Sequence, residues 1–253
     1  MAGDGLIGHT GFVGGNLARG HAFAGRFNSK TIGEIRGRAF DTLVFAAAQA
    51  RKWWANQNPA ADWAGIQAAL DPLADVRAER LVLISTIDVV PPGAGRDEAA
   101  PCHGIATHAY GENRLRLEDA LRARFARVLI VRLPGLFGPG LAKNVIFDLG
   151  HDNMLEKINP DSSFQYYDLA RLWPDIERAL AADLGVVHLV PAPVTTATVI
   201  ARFFAGKPVG QDAGPAVHYD YRTRHAALFG GRDGHIYGAE EVLDRLGAFL
   251  ASQ

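Results

Sequence analysis

Apolar residues along this chain fall into short unbroken runs that alternate with stretches spaced by three or four. Leu6-Ile7 leads through a glycine-rich segment to Val13, Leu17 and His21 at four-residue intervals, which predicts a strand, a tight turn and a helix. Residues 26–32 are too few for a full helix before the next apolar run at 42–48, so a crossover element is pared down here. Asn58-Pro59 sets a capping residue before a proline, and Trp63, Ile66, Leu70, Leu73 and Val76 continue at helical spacing, with Asp71-Pro72 as a kink or restart. Residues 81–84 and 128–131 are continuous apolar runs, as expected of strands buried on both faces, with a helix predicted over 108–123 between them.

Strands and helices alternating at this spacing predict an α/β fold, a Rossmann-type doubly wound parallel sheet built of βαβ units. Beyond Asn144 the order is less regular: a helix near 169–182, a strand near 186–190, a helix after the Thr195-Thr196 cap, and shorter elements around Tyr219-Asp220-Tyr221 and 239–251. The expected division is a core of residues 1–143 and a smaller mixed C-terminal substrate lobe of 144–253, packed over the sheet's carboxyl edge, with some segments returning to the core.

Composition narrows the function. The chain has 253 residues, 48% of them hydrophobic, enough for a sizeable core, and its 28 glycines and 13 prolines stay below the level of about 25–30% that marks low complexity. With 26 basic and 27 acidic side chains there is no bulk drive toward nucleic acid or an anionic membrane, so neither is expected as a partner. The single cysteine, Cys102, excludes an internal disulfide framework and a cysteine zinc cage, and Cys102-His103 has no third partner; the nine histidines lack metal spacing, so no metal is expected. No apolar stretch reaches membrane-spanning length and Met1-Ala2-Gly3-Asp4 has no basic region to open a secretory signal, so the expected location is the cytoplasm.

Gly8-x-x-Gly11-x-x-Gly14 follows a strand and opens a helix. Glycines there let backbone approach a pyrophosphate, while the helix start offers free N–H groups and partial positive charge. The bland alternative is a tight turn without a ligand. At the end of the second strand, where a carboxylate would read the adenosine 2′-hydroxyl of NAD, the chain has Asn28-Ser29-Lys30. An amide, a hydroxyl and an ammonium suit a 2′-phosphate, which favours NADP over NAD.

The segment Ile7-Gly8-His9-Thr10-Gly11-Phe12-Val13-Gly14 resembles the opening of the extended short-chain dehydrogenase/reductases, the family of sugar-nucleotide epimerases, dehydratases and reductases. Three further segments resemble that family in its own order. Leu43-Val44-Phe45-Ala46-Ala47-Ala48 is similar to its cofactor-lining strand, Ile84-Ser85-Thr86-Ile87-Asp88 to its catalytic Ser/Thr strand, and Tyr110-Gly111-Glu112-Asn113-Arg114 to its Tyr-x-x-x-Lys helix. Arg132-Leu133-Pro134-Gly135 and the residues after it resemble the loop that closes over the nicotinamide. The resemblance implies a cofactor held by Gly8, Thr10, Gly11, Phe12, Val13, Gly14, Asn28, Ser29, Lys30, Ala46, Ala47, Ala48 and Pro134, with Tyr110, Thr86, Arg114 and Asp88 as catalytic candidates.

A tyrosine with an ordinary pKa near 10 needs a neighbouring cation to work as acid and base near neutrality. Tyr110 and position 114 lie four apart on one helix face, and Thr86 brings a hydroxyl for the reacting oxygen. Position 114, however, is Arg where the family has Lys; the charge is kept, but the planar fork is not interchangeable with an ammonium. Arg114 is expected to lower the pKa of Tyr110 and bond a nicotinamide ribose, or else to mark a site that has lost its chemistry. Family dehydratases have two carboxylates after the Thr; here Ile87 and Asp88 stand there, so a full 4,6-dehydration is not expected, and Asp88 is either a base or a strand-end carboxylate. Trp53 and Trp54 either stack on a base or pack, and Arg222 and Arg224 either bind a substrate pyrophosphate or are solvated. The expected function is an NAD(P)-dependent oxidoreductase or epimerase acting on a nucleotide-linked sugar or a related small carbonyl or alcohol, with a homodimer as an assembly open to it. The alternative is a dinucleotide-binding protein of the same fold with little or no catalysis.

Overall fold

Local sequence accounts for most of the elements. In a computed structural model, which describes residues 2–105 and 107–253, Gly5–Ile7 forms β1 and Phe12–Gly20 forms α1. β2 (Gly25–Phe27) is followed by a single 3₁₀ turn at Ile32–Ile35 and then by β3 (Ala39–Phe45), so the crossover is indeed reduced to a turn. Two helices follow, α2 (Lys52–Gln57) and α3 (Pro59–Leu70). Asn58, with φ −131°, breaks them apart, and Pro59 opens α3 where a missing N–H costs nothing. The apolar pattern does not reveal α2, because six residues are too few to display a helical period.

β4 (Arg77–Thr86), α4 (Ala109–Arg124) and β5 (Val128–Leu133) complete the next crossover. The remaining elements are β6 (Gly135–Phe137), α5 (Val145–Gly150), β7 (Ser163–Phe164), β8 (Tyr166–Asp168), α6 (Leu172–Ala181), β9 (Val186–His188), β10 (Val194–Thr195), α7 (Thr196–Phe203) and α8 (Ala239–Ala251). The hydroxyl of Thr195 accepts from the Thr198 N–H and caps α7.

Six strands form one parallel sheet in the order β2-β1-β3-β4-β5-β9. Its register pairs Leu43 with Leu81 and Phe45 with Leu83, and these four join Ile66 of α3 with Leu117 and Leu121 of α4 in one apolar cluster. The alternate residues Leu6, Val44, Val82 and Val131 are buried too, so the strands are covered on both faces. The chain leaves β1 toward β2 and returns past β1 to β3, which puts a topological switch point between β1 and β3. In open α/β sheets the crevice beyond the carboxyl ends of such strands is where ligands bind.

A charged network lies inside this sheet unit. Arg132 on β5 donates through Nε (3.0 Å) and Nη2 (2.6 Å) to the two carboxylate oxygens of Glu118 on α4, the Ser85 hydroxyl donates to Glu118 at 2.6 Å, and His188 on β9 lies 3.3 Å from Arg132 Nη1. Glu118 and His188 are fully buried, so the pair survives only because every charge is matched.

The chain divides into two compact units. The first holds the residues up to Pro92, Ala99–Leu133 and Ala170–His188; the second holds Gly93–Glu98, Pro134–Leu169 and Leu189–Gln253. After β5 the chain passes into the second unit at Pro134. α6 and β9 belong to the first unit because β9 extends the sheet beside β5, with α6 as its crossover helix. In the second unit β6 pairs with β8 and β7 with β10, and the buried Gln165 stitches strands to loops: its amide donates to the carbonyls of Pro191 and Tyr221 and accepts from the Tyr221 N–H.

Candidate active site

The glycine turn sits at the carboxyl end of β1. Gly8 has φ +90°, and a Cβ there would meet the Ala46 carbonyl oxygen at 2.4 Å, so backbone of the turn and of the segment after β3 lie against each other. A Cβ at Gly14 would meet the Gly8 carbonyl oxygen at 2.1 Å, which leaves glycine as the residue that lets α1 start this close to the turn. Gly11 stands at the N-cap with no side-chain cap, and the first turn of α1 has no acidic residue. Amide groups are therefore left for an anion, and nothing negative competes with it. The residues present fit a dinucleotide pyrophosphate.

The neighbouring candidates gather at the same edge. Gly8 N–H donates to the Phe27 carbonyl at 2.7 Å, bringing the end of β2 to the turn, and Asn28 Nδ2 lies 3.3 Å from His9 Nε2. Asn28 Oδ1 accepts from the Lys30 N–H at 2.9 Å, an Asx turn that leaves Ser29 and Lys30 exposed. Thr10 is exposed, Phe12 and Val13 are half-buried on α1, and Ala46, Ala47 and Ala48 are half-buried after β3. Pro134 opens the second unit and is not among the residues that the first unit brings together.

At the end of β4 the hydroxyl of Thr86 accepts from the Asp88 N–H at 3.1 Å, capping a 3₁₀ turn that aims Asp88 toward α2 and α4. Lys52 Nζ donates to Asp88 Oδ1 at 2.8 Å, and His108 Nε2 lies 3.8 Å from the same oxygen. Burial opposes the charge of Asp88, yet His108 and Lys52 together hold its carboxyl below the usual range. His108 is also the N-cap of α4, its Nδ1 accepting from the Gly111 N–H at 3.0 Å.

Tyr110 is buried in the first turn of α4. Burial pushes its phenol above the ordinary value; the charge of Arg114 opposes that rise, Asp88 adds to it and Lys52 opposes it. The Arg114 guanidinium lies 4.4 Å from the centre of the Tyr110 ring. Two of its nitrogens bond other partners. Nη1 and Nη2 donate to the two carboxylate oxygens of Asp62 on α3 at 2.8 and 2.9 Å, Nη2 also donates to the Gln49 carbonyl at 2.5 Å, and Nε is buried with no hydrogen-bond partner among the described residues. Arg114 ties α4 to α3 and to the segment after Ala48.

Three residues of this cluster are not among the candidate site residues read from the sequence: Asp62, His108 and Lys52. A helix-start histidine before Tyr110 is a capping signal that could have been noticed; nothing local marks Asp62 as the partner of a residue on another helix. Trp53, 66% exposed, and the half-buried Trp54 lie on α2 beside Lys52. In the second unit Arg222 donates to Asp220 at 2.9 and 3.0 Å and to the Asp233 carbonyl at 2.7 Å, so it is held by its own loop.

Comparison of the sequence finds no matching family profile and no similar curated protein. Comparison of the structure finds many similar solved chains. A dTDP-4-dehydrorhamnose reductase from Bacillus anthracis in complex with NADP matches with a TM-score of 0.73 at 15% identity, over 100% of this chain and 99% of that one. A UDP-N-acetylglucosamine 4-epimerase from Methanobrevibacter ruminantium, in complex with UDP-N-acetylmuramic acid, matches at 0.75 and 12% identity over 99% and 98%. The dTDP-glucose 4,6-dehydratase of Streptomyces venezuelae, as a double mutant with NAD bound, matches at 0.71 and 16% over 99% and 97%. The chain has their fold. The α/β, Rossmann-type expectation is met over nearly the full length of chain and neighbours alike. Among the described residues no helix is long and apolar enough to cross a membrane.

Proposed function

We propose that this chain is an NAD(P)-dependent oxidoreductase of a nucleotide-linked sugar or a related small carbonyl compound, working in the direction of reduction. The observation that carries the reading is the glycine turn, where Gly8 and Gly14 leave no room for a Cβ and the start of α1 is uncapped. Its backbone amides would hold the pyrophosphate, Ala46, Ala47 and Ala48 would line the adenosine side, and the exposed Lys30, with no carboxylate at 28–30, favours the 2′-phosphate of NADP. When bound, the dinucleotide supplies hydride. Tyr110 supplies the proton: a phenol of ordinary value near 10 carries it at neutrality, and the charges of Arg114 and Lys52 oppose the rise that burial imposes on it. Thr86 brings the second hydroxyl to that oxygen. Ile87 is buried and carries no carboxylate, and Asp88 is an ionised partner of Lys52, so the residues after Thr86 do not supply the paired acid and base of a dehydration.

The test is binding followed by turnover. NADPH should bind wild type in calorimetry and fail to bind Gly11→Asp, which puts a carboxylate where phosphate belongs at a position that has room for a Cβ; equal affinity would overturn the reading. With nucleotide-linked keto-sugars, NADPH consumption should fall by about 10²–10⁴-fold in Tyr110→Phe. One observation favours a second reading: the guanidinium of Arg114 is held by Asp62, as in a tether rather than a catalytic cation. A dinucleotide-binding protein without chemistry would bind NADPH and turn over no member of the panel.

A further inference from the structure

The helix beside α4 brings a second cation to the Tyr110 site. We propose that Lys52, seated on Asp88, is a second positioning cation of the Tyr110 site, acting beside Arg114. This rests on the reading of Tyr110 as the proton donor.

The geometry is a three-way junction. Asn56 on α2 accepts the Tyr110 N–H through Oδ1 at 2.9 Å, and Lys52 lies four residues earlier on the same short helix, hence on the same face. From there Lys52 Nζ reaches Asp88 Oδ1 at 2.8 Å. The Asp88 turn in turn lies hard against α4, since a Cβ on Gly111 would meet the Asp88 carbonyl oxygen at 2.3 Å. His108 Nε2 faces Asp88 Oδ1 at 3.8 Å from the head of α4. The charged and titratable groups around Tyr110 are thus Lys52 from α2, Asp88 from the turn after β4, and His108 and Arg114 from α4.

These groups are not equivalent. The charge of Arg114 is matched by a buried carboxylate in a two-pronged bond, whereas the ammonium of Lys52 is partly exposed on a flexible stem, with three donors. A cation beside a phenol favours phenolate and an anion favours phenol, so Lys52 and Asp88 act on Tyr110 in opposite senses. Removing one should move the tyrosine one way, and removing the other should move it back.

The experiment replaces tyrosine with 3,5-difluorotyrosine, whose more acidic phenol titrates in an accessible range, and assigns the Tyr110 fluorine resonance by its loss in Tyr110→Phe. Lys52→Gln should raise the Tyr110 titration midpoint, Asp88→Asn should lower it, and Lys52→Arg should hold it near wild type. A midpoint unmoved by Lys52→Gln, or moved in the same direction by Lys52→Gln and Asp88→Asn, overturns the proposal. If Lys52→Gln does not fold, Asp88→Asn decides alone, and an unmoved or raised midpoint there overturns it. The titration needs neither cofactor nor substrate. Opposite shifts in a protein that consumes no NADPH with any keto-sugar would sink the proposed reduction and leave the electrostatic role of Lys52 standing; unmoved midpoints in an active enzyme would do the reverse.

Discussion

At position 114 the shape of one side chain organises a site. An ammonium is a point donor, whereas a guanidinium presents a planar fork that a carboxylate satisfies two bonds at a time, and Asp62 does so with both groups only 3% exposed. Although burial works against its charge, the bonds from Arg114 and Asn113 hold the Asp62 carboxyl below the usual range. A carboxylate depressed by folding contributes stability that is complete above its unfolded pKa of about 4 and is lost as the pH falls through the folded value. Urea midpoints followed from neutral to acid pH should therefore drop for wild type on the acid side. Asp62→Asn should start about 3–5 kcal/mol lower, because it strands a buried guanidinium, and should show a flatter acid limb. An acid limb as steep as wild type would mean that other carboxylates carry the acid sensitivity.

Among the elements, the first turn of α4 carries the most constraint. It presents Tyr110, is capped by His108, and packs its Gly111 onto the Asp88 carbonyl too closely for any side chain. Gly111→Ala should push α4 away from the Asp88 turn and cost about 1–3 kcal/mol by overpacking, with Tyr110 displaced along with its helix. Chemical denaturation measures the cost and NADPH consumption measures the displacement. Wild-type stability with wild-type turnover would show that the turn yields without consequence. Farther along the same helix Glu118 bonds Arg132 and Ser85, so one face of α4 is fixed to β4 and β5 by charge and another to α3 by Arg114.

For the molecule as a whole, the near balance of 26 basic and 27 acidic residues leaves no large field to draw a polyanion, and recognition falls to the local dipole at the start of α1. Because the glycine turn exists only in the folded state, a bound dinucleotide should stabilise the fold by mass action. NADPH at about 100 times its dissociation constant should add about 2.7 kcal/mol, a rise of roughly 5–10 °C in Tm for a chain of this size. Calorimetric scans of Gly11→Asp should show no such rise. A rise of equal size in that variant would put the nucleotide somewhere other than the turn.

By itself the sequence determined the features written in consecutive residues. The apolar runs at 42–48, 81–84 and 128–131 became β3, β4 and β5, the Thr195 cap opened α7, and Gly8, Gly11 and Gly14 marked a turn in which Gly8 and Gly14 leave no room for a Cβ. Period and backbone freedom are local properties, and a reader of the chain sees them directly. What the tertiary structure decided is which side chains meet. Lys52 finds Asp88 across 36 residues and Arg114 finds Asp62 across 52, and α6 with β9 rejoins the sheet after an excursion through the second unit. No spacing rule announces these encounters, because parallel crossovers set distant helices side by side, and the partner of a charge is then chosen by burial, which removes water as the alternative.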